Sequence, residues 1–139
     1  MPKRILIPID GSLQSARAVE FAVDEWPDAE LTLLHVIDPA GAGYGPGTGV
    51  PSGAEEWFEN AKTDAEELLS EATPRDTVEA STMTEVGRPA QTIVEVADEA
   101  GFDHVVMGSH GRTGVSRILL GSVAEDVVRS STVPVTVVR

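Results

Sequence analysis

The sequence predicts an α/β fold: a single domain holding a five-stranded parallel sheet with helices on both faces. Three observations carry that prediction. Short branched apolar runs alternate with segments of helical periodicity in the order βαβαβαβαβ. The runs are apolar almost throughout, as in strands buried on both faces, so right-handed crossovers must return the chain to a covered parallel sheet. The chain has 139 residues and no cysteine. That is the size of one domain able to bury most of its apolar surface, with no disulfide framework or thiolate metal site to assist.

The elements follow in order. Lys3 to Ile9 (KRILIPI) reads as a buried strand. Asp10-Gly11-Ser12 turns the chain, and Ser12 suits the N-cap of a helix running to about Trp26. Glu30 to Val36 (ELTLLHV) is a second buried strand. The stretch from Ala40 to Gly53 carries six glycines and two prolines and is expected to be a flexible loop over the carboxyl end of that strand, with Tyr44 its single aromatic. Residues 54–72 place Trp57, Phe58, Ala61, Ala65, Leu68, Leu69 and Ala72 at helical spacing with acids opposite. Thr77 to Thr84 suits an edge strand. Pro89 just inside and Gly101 just beyond mark the ends of a third helix. Asp103 to Met107 is a strand, Ser122 to Ser131 a fourth helix, and Val133 to Val138 a final strand. No repeat and no second domain interrupts residues 1–139.

Charge excludes several function classes. There are 23 acidic against 10 basic residues, for a formal net charge of −13, and Lys3 and Lys62 are the only lysines. Such a field repels nucleic acid and anionic membranes. The surplus of carboxylate also suits a halophilic cytoplasm, where the screening length falls to ~3 Å near 1 M salt. No run approaches the ~20 apolar residues that span a bilayer, and Lys3 and Arg4 lead only into ILIPI, so a cytoplasmic location is expected.

Against that background one window stands out. No Asp or Glu occurs between Asp103 and Glu125, and the interval holds His110, Arg112, Arg117 and four glycines. Gly121 and Ser122 immediately precede a helix, whose unpaired N–H groups and positive dipole end attract anions, and glycine lets backbone approach phosphate oxygens. The spacing of Gly108, Gly111, Gly121 and Ser122 is G-x2-G-x9-G-S, distinct from the P-loop and from the dinucleotide fingerprint. An ordinary loop is the competing reading of the same composition.

With this motif the chain resembles the universal stress proteins, in the subclass that binds ATP through G-x2-G-x9-G-[ST]. The resemblance runs from Pro8-Ile9-Asp10 to the closing VPVTVVR. It implies a Rossmann-like fold of the adenine nucleotide alpha hydrolase kind, with adenine near Pro8, Asp10, Val36 and Met107. Ribose and phosphates would then lie along Gly108, His110, Gly111, Arg112, Gly121, Ser122 and Val123. The implied cofactor is ATP, AMP or ADP, with Mg²⁺. Cyclic AMP is a further candidate within the family. The resemblance also puts Val133 to Val138 at a sheet edge, where a strand with no interior charge is an open template for a homodimer.

Several residues carry two readings. Ser122 could contact phosphate or open a capping box, Ser122-Val123-Ala124-Glu125, in which Glu125 reaches back. Asp10 could face a sugar or metal, or bond its own turn. Pro8 lacks a ladder donor and is tolerable only at a strand's end. Arg112 favours the phosphate, whereas Arg117 reads as a solvated or partner-facing charge. His110 could donate to phosphate or stand free at the surface. His35 reads as a satisfied core histidine, His104 as surface, and no pair of histidines has metal-ligand spacing. Glu55, Glu56, Glu59, Glu66, Glu67 and Glu71 form a solvated face.

These readings point to a dimeric nucleotide-dependent regulatory module. A slow ATP hydrolase or phosphate-transferring enzyme is the first alternative; the sequence offers no evident catalytic base for it. An interaction protein with an empty pocket is the second, and the intact glycine spacing opposes it.

Overall fold

A computed structural model describes residues 2–42, 53–74, 80–109 and 120–139. Strands β1 (Arg4–Pro8), β2 (Glu30–Ile37), β3 (Ala80–Val86), β4 (His104–Gly108) and β5 (Val135–Val138) form one sheet in the order β3-β2-β1-β4-β5, each neighbouring pair parallel. Helices α1 (Leu13–Glu25), α2 (Ala54–Ala72), α3 (Pro89–Glu99) and α4 (Ser122–Ser130) connect them.

Strand alternation sorts the core into two layers. Ile5 and Ile7 of β1 and Ile9 just beyond it, with Leu31 and Leu33 of β2, pack against Ala18, Val19 and Ala22 of α1 and Leu69 of α2. Leu6, Leu34, Val105 and Met107 point the other way, onto Ile93 and Ala97 of α3 and Ala124 and Val127 of α4. Both faces are thus covered, which is why the strands read as continuous apolar runs. The glutamates at 55, 56, 59, 66, 67 and 71 are all exposed along α2.

Helix ends follow local chemistry. Ser12 caps α1: its Oγ accepts from Ser15 N at 3.1 Å, from an extended backbone at φ −77° and ψ 160°. Pro89 opens α3, where its missing N–H costs nothing.

Some boundaries differ from expectation. The last strand begins at Val135, because Val133 is held in a turn: its N–H donates to Ser131 Oγ at 3.1 Å and its carbonyl accepts from that hydroxyl at 2.7 Å. The edge strand runs on to Val86, while residues 77–79 lie outside the described residues. The glycine-rich loop starts with a short 3₁₀ turn over Pro39–Ala42, where Asp38 Oδ1 accepts from Ala40 N. Its remainder, residues 43–52 with Tyr44, lies outside the described residues.

The chain steps outward from β1 to β2 to β3, then crosses to β4 on the other side of β1. The direction of winding therefore reverses between β1 and β4, and ligand crevices in open α/β sheets lie at the carboxyl ends of such strands.

Candidate functional site

A crevice opens at that reversal because β1 and β4 pair only at Ile5–His104 and Leu6–Val105. β1 stays paired with β2 as far as Pro8–Leu34, and β4 with β5 as far as Gly108–Val138. Pro8 fits this divergence. Arg4 O accepts from Asp103 N, so Arg4, Leu6 and Pro8 direct their backbone polar groups toward β4. Ile9 N donates to Leu34 O at 2.7 Å, on the β2 side. The donor that Pro8 lacks would have faced β4 beyond the last pair. The proline costs no hydrogen bond and leaves no donor there to close the gap.

The crevice is a cavity of about 160 Å³. Seven residues of the expected nucleotide site line it: Pro8 at the end of β1 and Asp10 beyond it, Val36 from β2, Met107 and Gly108 from β4, and Ser122 and Val123 from the start of α4. Gly121 adjoins them as the N-cap of α4. His110, Gly111 and Arg112 lie outside the described residues. The volume is close to the ~150 Å³ of an apolar protein cavity able to take a benzene ring. Buried Leu34, Ile93, Met107 and Ala124 make much of its wall apolar, which suits a planar ring.

The rim is polar. Asp10 Oδ1 accepts from Ser12 N at 2.9 Å and from the Ser12 hydroxyl, so the carboxylate is tied to the cap of α1. The turn reading of Asp10 therefore holds, and the same carboxylate lines the cavity. Ser15, buried beneath it, donates its hydroxyl to Ser12 O at 2.9 Å.

The capping box at α4 does not form. Gly121 is the N-cap, with φ −63° and ψ 159°, and has no side chain to offer. Ser122 is thus the first helical residue and is exposed. Glu125 does not reach back; its Oε1 pairs with Arg129 Nη2 at 2.7 Å, one turn onward. The helix starts one residue earlier than a serine cap requires, so the N–H groups of its first turn are left to another acceptor. The carboxylate is also drawn away from the cavity.

Two histidines fare differently. His35 is half-buried and satisfied as expected: its Nδ1 lies 2.7 Å from Ile9 O, and since a carbonyl only accepts, Nδ1 carries the proton. It also contributes to the cavity lining. His104 is half-buried rather than free at the surface. Alternation along β4 places it opposite Val105, under the Trp26 ring at 4.9 Å between centroids, with Nε2 2.7 Å from Thr136 Oγ1. Burial there, and secondarily the Lys3 ammonium, hold its imidazole below the ordinary value of 6.5. Sequence reasoning missed Ser15, Pro89, Ile93 and Ala124 as lining residues. The apolar periodicity of α3 signalled a core face, without saying which end of that face stays open.

The sequence profile of the universal stress protein family matches residues 1–139. The chain belongs to that family. Universal stress protein MJ0531 of Methanocaldococcus jannaschii is 38% identical over 99% of this chain and 82% of its own length. The solved structure of MJ0577, a universal stress protein of the same organism, superimposes with a TM-score of 0.83 at 31% identity, covering 99% of this chain and 96% of that one. A universal stress protein solved in complex with cAMP gives a TM-score of 0.66 at 26% identity, covering 99% and 97%. Among the described residues of this universal stress protein, no helix is long and apolar enough to cross a membrane, and no group of three His, Asp or Glu side chains is placed to hold a metal ion.

Proposed function

We propose that this universal stress protein binds an adenine nucleotide, ATP by preference over AMP and ADP, and acts as a cytoplasmic regulatory module rather than as an enzyme. The observation that carries the reading is convergence: residues from β1, β2, β4 and α4, far apart in sequence, line one cavity sized for a ring. The base stacks against Pro8, Val36 and Met107. Asp10 meets the sugar or the metal. The phosphates run along Gly108 to Arg112 and onto the first turn of α4 at Gly121, Ser122 and Val123, where unpaired N–H groups and the helix dipole favour negative charge. The cAMP in a relative's structure supports adenine as the base.

Magnesium fits this arrangement. It draws most ligands from phosphate and water and asks the protein for one or two carboxylates. Asp10 is the one carboxylate among the described residues of the lining. A bound ion would neutralise phosphate charge beside it.

The module is a homodimer through β5. That strand lies at the sheet edge, where Pro134 blunts only its beginning and Arg139 only its end. Pro134 O and Val138 O accept from Val105 N and Ser109 N of the β4 segment. By alternation, Val135 and Val137 turn their N–H and C=O groups outward, where a symmetry-related strand would satisfy them. The exposed glutamates of α2 support a high-salt cytoplasm, in which repulsion between such chains is screened.

Isothermal titration with ATP, ADP, AMP and cAMP, each with and without Mg²⁺, tests the reading. Saturable binding of ATP is expected, tighter than that of AMP. Absence of binding by any of the four would overturn it. Phosphate release under saturating ATP would replace the regulatory module with a hydrolase.

A further inference from the structure

The glycine motif accounts for the rim of the cavity but not for its depth. Beside Leu34 and Met107 of the sheet, its buried wall includes two helical side chains that no phosphate-binding motif includes. Ile93 belongs to the second turn of α3, and Ala124 to the first turn of α4. Both are 2% exposed, both belong to the core layer on that side of the sheet, and both line the cavity. One is large and the other small.

We propose that Ile93 and Ala124 determine the size of base this site accepts, a role that rests on the nucleotide reading above. Side chains on a helix lean toward its N-terminus. Residue 124 therefore projects back over the turn that opens α4, toward the cavity rather than away from it. Only a methyl group stands there, in the wall of the cavity of about 160 Å³. The β-branched Ile93 fills the facing helix. Interiors close-pack with few voids, so the cavity persists where these two residues are too short to meet its opposite wall. Pocket size acts on the ring alone. The phosphate site proposed above, along Gly108 to Arg112 and the first turn of α4, uses neither side chain.

Base selection and phosphate binding are therefore separable by substitution. Ala124→Val adds two carbons to the cavity wall and should weaken adenosine by about tenfold or more, the usual effect of one misfit methylene in an apolar pocket. Tripolyphosphate, which carries no ring, should bind as it does to the wild type. Ile93→Ala enlarges the cavity and should admit at least one of N6-, C2- and C8-benzyl-adenosine that the wild type rejects. Ile93→Val and Ala124→Ser, smaller changes at the same positions, accompany them. Circular dichroism melting identifies the variants that remain folded, and titration calorimetry reads the affinities. If the wild type binds adenosine and the folded variants bind it equally well with no analogue gained, the inference is overturned and the nucleotide reading stands. If the wild type binds tripolyphosphate but no adenosine, both are overturned together.

Discussion

A Cβ built on Gly108 would stand 2.5 Å from the carbonyl carbon of Gln14 and 2.7 Å from its oxygen. The first turn of α1 passes so close to the end of β4 that only hydrogen fits between them. This glycine of the motif is required by backbone packing, whatever else it does for a ligand.

Gly108→Ala should therefore destabilise the domain even without nucleotide, by about 1 to 3 kcal/mol as overpacking does. Gly121→Val should behave oppositely, because φ at Gly121 is −63° and any residue adopts it. That variant should fold and lose nucleotide, since its side chain would occupy the phosphate path. Urea unfolding and nucleotide titration of both proteins check the contrast. Nucleotide affinity undiminished in folded Gly121→Val would remove the phosphate reading of that turn.

Arg112 lies outside the described residues and is one of the few positive charges of the acid-free window. Arg112→Ala should weaken ATP more than adenosine, by about 1 to 3 kcal/mol for a charge-assisted hydrogen bond. High salt should narrow the gap. Equal losses for the two ligands would place the side chain elsewhere.

His104 predicts a pH dependence. Its folded-state imidazole titrates below the ordinary value of 6.5, chiefly through burial. On acidification the unfolded chain takes up the proton first, so the folded state loses stability. This contribution is complete above the unfolded value and declines as pH falls from about 6.5 through the folded value. Melting temperatures of the wild type and His104→Gln, followed across that window, should converge toward low pH as the wild type loses its advantage. A constant difference would show that His104 does not titrate in this range.

The dimer should depend on Val135. Val135→Pro removes a donor on the outward side of β5 and leaves the bonds from Val105 and Ser109 to the strand's inward carbonyls in place. Sedimentation should give monomers that still bind nucleotide. Dimerisation of the wild type should strengthen with salt, since the net charge of −13 opposes association at low ionic strength. A wild-type monomer at micromolar concentration and high salt would contradict the edge pairing.

Much of this architecture was legible in the chain. Residues 54–72 announced α2 to the residue, because a helix with one apolar face repeats at a period no strand shares. Ser12 was legible as a cap because a serine after a turn has a local backbone N–H to accept from. At α4 the same reasoning failed. A capping box was equally consistent with Ser122 and Glu125, and only the start of the helix at Ser122, with Arg129 one turn onward from Glu125, decided against it.

The sequence by itself determined the alternation of strands and helices, the acid-free window and the residues of the candidate phosphate site, since each is written in local order or spacing. Tertiary structure alone decided that β1 and β4 part after Leu6 and Val105, that Ile93 and Ala124 end facing an open space, and that His104 lies beneath Trp26. Those are contacts between segments distant in the chain. Their geometry depends on how the sheet orders its strands, which no periodicity within a single segment encodes.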